Sequence, residues 1–271
     1  MESFEKQYYE DLAFWEEGML MDENNKLRFQ LTVNLVPEDV KSLADIGCGN
    51  GIFLNFLHLN RNEIVLTGVD RSSTALGFVK FNKQIAEINA LPFEDNSFDC
   101  VTCLEVIEHL PHQVYEKALS ELTRISKKYV IISVPYNENV EDGYTKCPSC
   151  KSIFNSDLHL RNFQESEMSG LLMHTGFIEK KTQTFGDCFK FLGHDLFRKL
   201  FYPEQILQWQ SPICPICGYT DNSKEVTTTN TSKESKKLIT RFTSIPKLFW
   251  PKVKRHYWIM SLYEKNDTLH S

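Results

Sequence analysis

No apolar run in this 271-residue chain approaches the ~20 residues that cross a bilayer, so no membrane span is expected. The first residues, Met-Glu-Ser-Phe-Glu-Lys, lack the basic and then apolar layout of a secretory signal, and a cytoplasmic location is the expectation. Positive charge is scarce as well. Thirty Lys and Arg against 36 Asp and Glu leave a net charge of −6, which argues against a protein built to coat nucleic acid. One segment runs against that average: Lys233 to Arg255 holds eight basic residues and a single acid, Glu234. With the polar stretch Thr227–Lys237, it reads as a solvated, unstructured insert. Internal repeats are absent. So is a disulfide framework, because four of the eight cysteines fall in two tight pairs, Cys147-Pro-Ser-Cys150 and Cys214-Pro-Ile-Cys217. In a reducing compartment such pairs point to metal.

Apolar periodicity organises the rest. A helix is expected over Asn25–Leu35, ended by Pro37, and strands over Ser42–Ile46, Glu63–Val69, Gln84–Ile88, Cys100–Leu104 and Tyr129–Val134. Helices over Ile52–Leu59, Ser72–Phe81 and Tyr115–Ser126 fall between them. Beyond Pro135 come a helix over Glu165–His174 and strands over Phe177–Thr184 and His256–Glu264. Strands alternating with helices of ~10 residues predict a doubly wound, Rossmann-like α/β fold with a parallel sheet, here of seven strands. The expected organisation is a domain of residues 1–185 completed by a returning strand at 255–271. An insertion at 186–254 joins residues 144–152 in a metal-binding element.

The glycines at 47, 49 and 51 follow a strand and open a helix, where a bare backbone can turn sharply and approach a ligand. Glycines alone are weak evidence; their acidic neighbours decide. Asp45 would repel a pyrophosphate but suits a ligand bearing an amino group and a sulfonium. Asp70, ending the next strand, is placed to accept both hydroxyls of a ribose. The pair favours S-adenosylmethionine over a dinucleotide.

Each Cys-Pro-x-Cys bends so that two thiolates aim at one point, and two such knuckles complete the four-thiolate set of structural zinc. Cys147, Cys150, Cys214 and Cys217 are therefore the expected zinc ligands; paired redox thiols are the alternative. Cys100 and Cys103, three apart on a strand, point to opposite faces and read as core thiols, as do Cys48 and Cys188.

The stretches Leu43-Ala-Asp-Ile-Gly-Cys-Gly-Asn-Gly51, Val69-Asp70, Leu91-Pro-Phe-Glu-Asp-Asn-Ser-Phe-Asp99 and Glu105-Val-Ile-Glu-His-Leu110 recur in the order and spacing of one family. From about residue 43 to 135 the chain resembles the class I S-adenosylmethionine-dependent methyltransferases, of the type 11 or 23 kind. The resemblance implies that Asp45 and Gly47 meet the methionine end, Asp70 the ribose, and Glu87 with Ile88 the adenine. Glu-Ile departs from the Asp-Ala usual there. Leu104 and Glu105 would border the transferred methyl, and Cys48, Gly49, Gly51 and Arg71 complete the cofactor set. Tyr8, Tyr9 and Trp15 resemble an N-terminal lid.

Glu105, Glu108 and His109 would share one side of a helical turn, with His159 over the same sheet edge. This resembles two metal-assisted groups of O-methyltransferases, one acting on catechol-like intermediates of ubiquinone synthesis and one on the terminal ribose of small RNAs. There two Glu and two His hold a divalent ion. Mg, Mn and Zn all suit such ligands, and without an ion His109 or His159 would serve as general base. Elsewhere the same letters only cap a helix or pack over the cofactor. The run Asn-Pro-Pro-Tyr, associated with methylation of base amines, is absent.

The function expected is transfer of a methyl group to a hydroxyl of a small molecule such as a sugar, lipid precursor or secondary metabolite. Catalysis would involve Glu105, Glu108, His109 and His159. One alternative is an RNA ribose 2′-O-methyltransferase using the basic, aromatic segment with Phe249, Trp250, Tyr257 and Trp258. Another is a cofactor-binding regulatory protein without turnover.

Overall fold

The computed structural model describes residues 4–12, 15, 23–191, 209, 211, 213–220 and 252–266. The stretch Thr227–Lys237, residues 233–251 of the basic segment with Phe249 and Trp250, and most of the 186–254 insertion lie outside the described residues. The chain divides into two compact units. One comprises residues 6–140, 158–186 and 256–271; the other comprises 1–5, 141–157 and 187–255.

The described helices are α1 (Phe4–Tyr9), α2 (Glu23–Leu35), α3 (Ile52–Asn60), α4 (Ser73–Gly77), α5 (His112–Ile125) and α6 (Glu165–Gly170). The strands are β1 (Ser42–Ile46), β2 (Val65–Asp70), β3 (Asn82–Ile85), β4 (Phe98–Leu104) and β5 (Ser126–Pro135), followed by the short β6 (Tyr144–Lys146) and β7 (Ile153–Asn155), then β8 (Phe177–Phe191) and β9 (Lys252–Lys265). Seven of them form one sheet in the order β3-β2-β1-β4-β5-β9-β8, while β6 and β7 pair only with each other. The α/β, Rossmann-like reading holds, with one correction. Strands β1 to β5 run parallel, but β9 is antiparallel to β5, so the sheet is mixed. Antiparallel neighbours need no crossover helix, which lets the returning strand slot between β5 and β8.

Sheet alternation sorts the core into two layers. Leu43, Cys100, Tyr129 and Ile131 join the cluster that buries Phe53, Leu54 and Leu57 of α3. Ala44, Ile46, Val101, Cys103, Val130 and Ile132 join the cluster that buries Leu119, Leu122 and Ile125 of α5. Cys100 and Cys103 accordingly fall in different layers, both fully buried. Helix α5 carries its buried residues at 118, 119, 122 and 125, the spacing of one helical stripe.

Two helices end sooner than the periodicity predicts. Helix α4 stops at Gly77 and α6 at Gly170, since glycine is a poor helix interior; a separate 3-10 turn, Met173–Thr175, follows α6. Ser72 caps α4, its hydroxyl accepting the Ala75 N–H at 3.0 Å. Strand β3 lies about two residues earlier than expected, because its register is set by pairing Asn82–Ile85 with Thr67–Asp70.

The chain runs outward from β1 through β2 to β3, then returns to build β4 and β5 on the other side. The sheet thus reverses between β1 and β4, where open α/β sheets place ligands at their carboxyl ends. Asp99 anchors the opposite end of that pair. Its carboxylate accepts the Lys41 N–H at 3.0 Å, the Ser42 N–H at 2.9 Å and the Ser42 hydroxyl at 3.0 Å. Burial opposes ionisation, but these bonds outweigh it and hold the carboxyl below its usual range. Asp99→Ala is expected to cost about 1–3 kcal/mol of stability, read as a lower denaturant midpoint with an unchanged slope.

Candidate active site

The carboxyl ends of β1, β2 and β4 carry Asp45, Asp70, Glu105 and Glu108, the acidic residues singled out in the sequence. After β1 the chain turns through Gly47, Gly49 and Gly51 at φ 75°, 53° and 77°, the left-handed region that glycine enters without strain. Space excludes other residues too. A Cβ on Gly47 would lie 2.4 Å from Val106, and one on Gly49 2.6 Å from the Trp15 ring. Cys48 is buried in the core behind the turn.

Asp45 is 3% exposed, and its Oδ1 accepts the Thr102 hydroxyl at 2.6 Å. Burial pushes this carboxyl up to about 7, with the Asp70 charge adding to the shift and Thr102 and Arg28 opposing it. Asp70 accepts the Gly49 N–H on Oδ2 at 2.8 Å and the Ser72 N–H on Oδ1 at 2.9 Å. These bonds fix the carboxylate while leaving each oxygen a second lone pair. Arg71 lies with its guanidinium 5.3 Å from the Tyr9 ring centre. Glu87 and Ile88 follow the end of β3 on a loop, Glu87 exposed and Ile88 half-buried against the core.

The N-terminal segment covers the glycine turn. The Asn50 amide donates to the Trp15 carbonyl at 3.0 Å, and the Ser72 hydroxyl to the Tyr9 carbonyl at 2.6 Å. The Glu10 carboxylate accepts the Ser73 and Thr74 N–H groups, each at 3.1 Å, and the Thr74 hydroxyl at 2.8 Å.

Leu104 ends β4, and Glu105 follows with φ 58°, a strained setting for a residue other than glycine. Its carboxylate is held three ways: by the Ser133 hydroxyl at 2.9 Å, by the Trp258 indole N–H at 2.7 Å and by Arg28 at 3.5 Å. Of the four residues expected to converge, Glu105 is not in the group whose donor atoms meet. It sits on a left-handed rather than a helical turn, yet its charge still acts on Glu108. The other three do come together. Glu108 and His109 lie on a 3-10 turn, Ile107–His109, and with His159 offer donor atoms within 4.8 Å of one another. Glu108 is 1% exposed, and among the described residues neither of its carboxylate oxygens has a hydrogen-bond partner. Burial, then the Glu105 charge, pushes Glu108 well above the carboxylate range. Burial pushes His109 down to about 4. His109 Nε2 lies 3.9 Å from Glu108 Oε1.

Arg28 and Glu138 were not legible as site residues. Arg28 reaches in from α2 to Glu105, with its Nε buried and unpartnered. Glu138, three residues beyond β5, meets His159 Nδ1 at 2.5 Å. Neither sits in a recognisable pattern, because both act on partners far away in the chain.

In the second unit the two cysteine knuckles meet. Cys147 Sγ lies 3.7 Å from Cys217 Sγ, and Cys150 Sγ 3.7 Å from Cys214 Sγ. Four sulfurs at ~2.3 Å from one tetrahedral zinc stand about 3.8 Å apart; a disulfide would need ~2.05 Å. Ribbon β6–β7 carries the first knuckle between its strands. The Gly218 N–H donates to the Cys214 carbonyl at 2.9 Å to close the second. The cluster is consistent with a zinc-binding insertion.

Residues 44–133 match the family model described as a methyltransferase domain. The sheet order and the glycine turn decide the fold. This is a class I S-adenosylmethionine-dependent methyltransferase fold. An uncharacterised protein of Methanocaldococcus jannaschii is 34% identical over 127 residues, 45% of this chain and 52% of that protein. A ubiquinone biosynthesis O-methyltransferase of Albidiferax ferrireducens is 31% identical over 98 residues, 32% of this chain and 38% of that protein. The chain thus spans about half or less of the curated relatives it matches. Among solved structures, a methyltransferase from Archaeoglobus fulgidus superposes with a TM-score of 0.52 at 19% identity, covering 89% of this chain and 92% of that one. The methyltransferase fold implies S-adenosylmethionine, and the residues present fit it: a buried carboxylate beside a turn that admits no side chain.

Asp45 gives a pH test. The folded protein keeps this proton up to about pH 7, whereas a free carboxyl loses it near 3.8. Between those values the folded state binds more protons, so stability of the cofactor-free protein falls as pH rises. Asp45→Asn removes that loss. Without cofactor it is expected to melt about 2–6 °C above wild type at pH 8, with little difference at pH 4, and to bind cofactor far more weakly; an equal gap at both pH values refutes the assignment. Metal analysis is expected to find about one zinc per chain, lost in Cys214→Ser.

Proposed function

We propose that this protein transfers the methyl group of S-adenosylmethionine to a hydroxyl oxygen of a small molecule. The reading is carried by Glu108, a buried carboxylate with both oxygens unpartnered beside two imidazoles at the carboxyl edge of β4 and β5. Buried polar groups are nearly always satisfied, so a pair of orphaned oxygens calls for a ligand. Carboxylate and neutral imidazole are the donors of a divalent cation such as Mg, Mn or Zn. A cation held there would make an acceptor hydroxyl acidic near neutral pH. The relative named as a ubiquinone biosynthesis O-methyltransferase supports oxygen as the acceptor atom.

When bound, S-adenosylmethionine supplies an activated methyl group on a sulfonium, which needs little acid help to leave. The chain's own task is positioning. Asp45 meets the cofactor's amino group, Asp70 the ribose hydroxyls, and the unpartnered Nε of Arg28 suits the carboxylate of the methionine end. Glu105, clamped by Ser133 and Trp258, borders the methyl. Glu108, His109 and His159 would hold the cation beside which the acceptor hydroxyl is placed, and the acceptor's proton would pass to water.

Purified protein is to be titrated with labelled cofactor and assayed against compounds with single and adjacent hydroxyls. Cofactor binding is expected, with turnover lost on chelation and restored by Mn or Mg. Glu108→Gln is expected to cut kcat by about 100-fold or more. No cofactor binding at millimolar concentration overturns the whole reading. Turnover indifferent to both chelator and Glu108→Gln overturns the cation alone.

A further inference from the structure

Three loops meet around the carboxylate and imidazole cluster, and backbone bonds zip them together. Tyr136 bridges Phe163, and the Asn137 N–H donates to the Phe163 carbonyl at 2.8 Å. The Leu160 N–H donates to the Glu108 carbonyl at 2.9 Å, and the Arg161 guanidinium to the Ile107 carbonyl at 2.6 Å. Among described residues other than glycine, five have positive φ, and three of them flank this cluster: Glu105 at 58°, Asn137 at 49° and Leu158 at 63°. Strain of that kind persists where the surroundings over-determine it, and it gathers at functional sites. Its product here is the placement of Glu138 against His159.

The histidine is 8% exposed, and its ring centre lies 4.8 Å from that of His109 in an edge-on arrangement. Its Nδ1 is 2.5 Å from Glu138 Oε2. A carboxylate accepts and a ring N–H donates, so this contact puts the proton on Nδ1. A neutral imidazole carries one proton, which leaves Nε2 as the lone-pair nitrogen. Such a second carboxylate fixes both the tautomer and the ring angle of a histidine that must present one nitrogen.

We infer that Glu138 is a positioning residue that locks His159 in the Nδ1-protonated tautomer and so presents Nε2 to the Glu108 and His109 side. The value of that tautomer to catalysis rests on the function proposed above; the tautomer itself does not. Glu138 touches no reacting atom. It acts through His159.

Long-range proton–nitrogen NMR of labelled protein, without added divalent ion, reads the tautomer directly; His159→Gln assigns the signals. Wild type is expected to show a protonated Nδ1 and a bare Nε2. Glu138→Ala is expected to move the proton to Nε2, while Glu138→Gln, whose carbonyl still accepts, keeps the wild-type pattern. Titration with Mn, followed by relaxation of water protons, is expected to show about 10- to 100-fold weaker binding in Glu138→Ala. A wild-type His159 protonated on Nε2, or a tautomer unmoved in Glu138→Ala, overturns the inference. Absence of Mn binding in wild type with the expected tautomers overturns the cation reading and leaves the lock standing. The wild-type spectrum alone tests the tautomer should Glu138→Ala not fold.

Discussion

Three buried or half-buried carboxylates share one guanidinium at the carboxyl edge of this sheet. Arg28 lies 3.5 Å from Glu105, and its charge also acts on Asp45 and Glu108. One cation cannot balance three acids away from water. Burial raises the Asp45 carboxyl to about 7 and pushes Glu108 well above the carboxylate range, so the protein alone favours their protonated forms. Each of these sites is costly without a cationic partner; under the proposed function a sulfonium and ammonium would partner Asp45, and a divalent ion Glu108. Much else in the structure serves to hold this unbalanced charge in place.

That holding is done largely by backbone. Gly47, Gly49 and Gly51 give the turn its shape, while Val106 and Trp15 fill the volume that side chains there would need. On the acceptor side no glycine is available. Glu105, Asn137 and Leu158 take left-handed conformations instead, stabilised by the bonds that tie three loops together. A relaxed loop could carry the same side chains, but it would not keep them at hydrogen-bonding distance.

The four-cysteine element answers a different constraint. A metal held by its four sulfurs would tie the ribbon β6–β7 to the second knuckle, which lies far along the chain. Its sulfur spacing is that of a closed site, so its contribution is structural, and the chemistry belongs to the sheet edge.

Much of the fold was legible from local pattern. Strand and helix periodicity, the glycine turn with Asp45 and Asp70, and the paired cysteines depend on neighbours in sequence, and short-range rules determine them. The opposite layers of Cys100 and Cys103 follow from strand alternation alone. What local pattern cannot carry is the partner at long range. The antiparallel entry of β9, the reach of Arg28 from α2, the capture of Glu105 by Trp258 across 153 positions, and the meeting of Glu138 with His159 were decided only by tertiary packing. Glu105 shows the difference most plainly: its spacing from Glu108 promised a shared side of a helix, but it sits on a left-handed turn with its carboxylate held by three partners distant in the chain. Sequence by itself determined that this edge would hold acids and imidazoles, because residue type sets the chemistry. The tertiary structure decided which of them face one another, because that depends on where the chain returns.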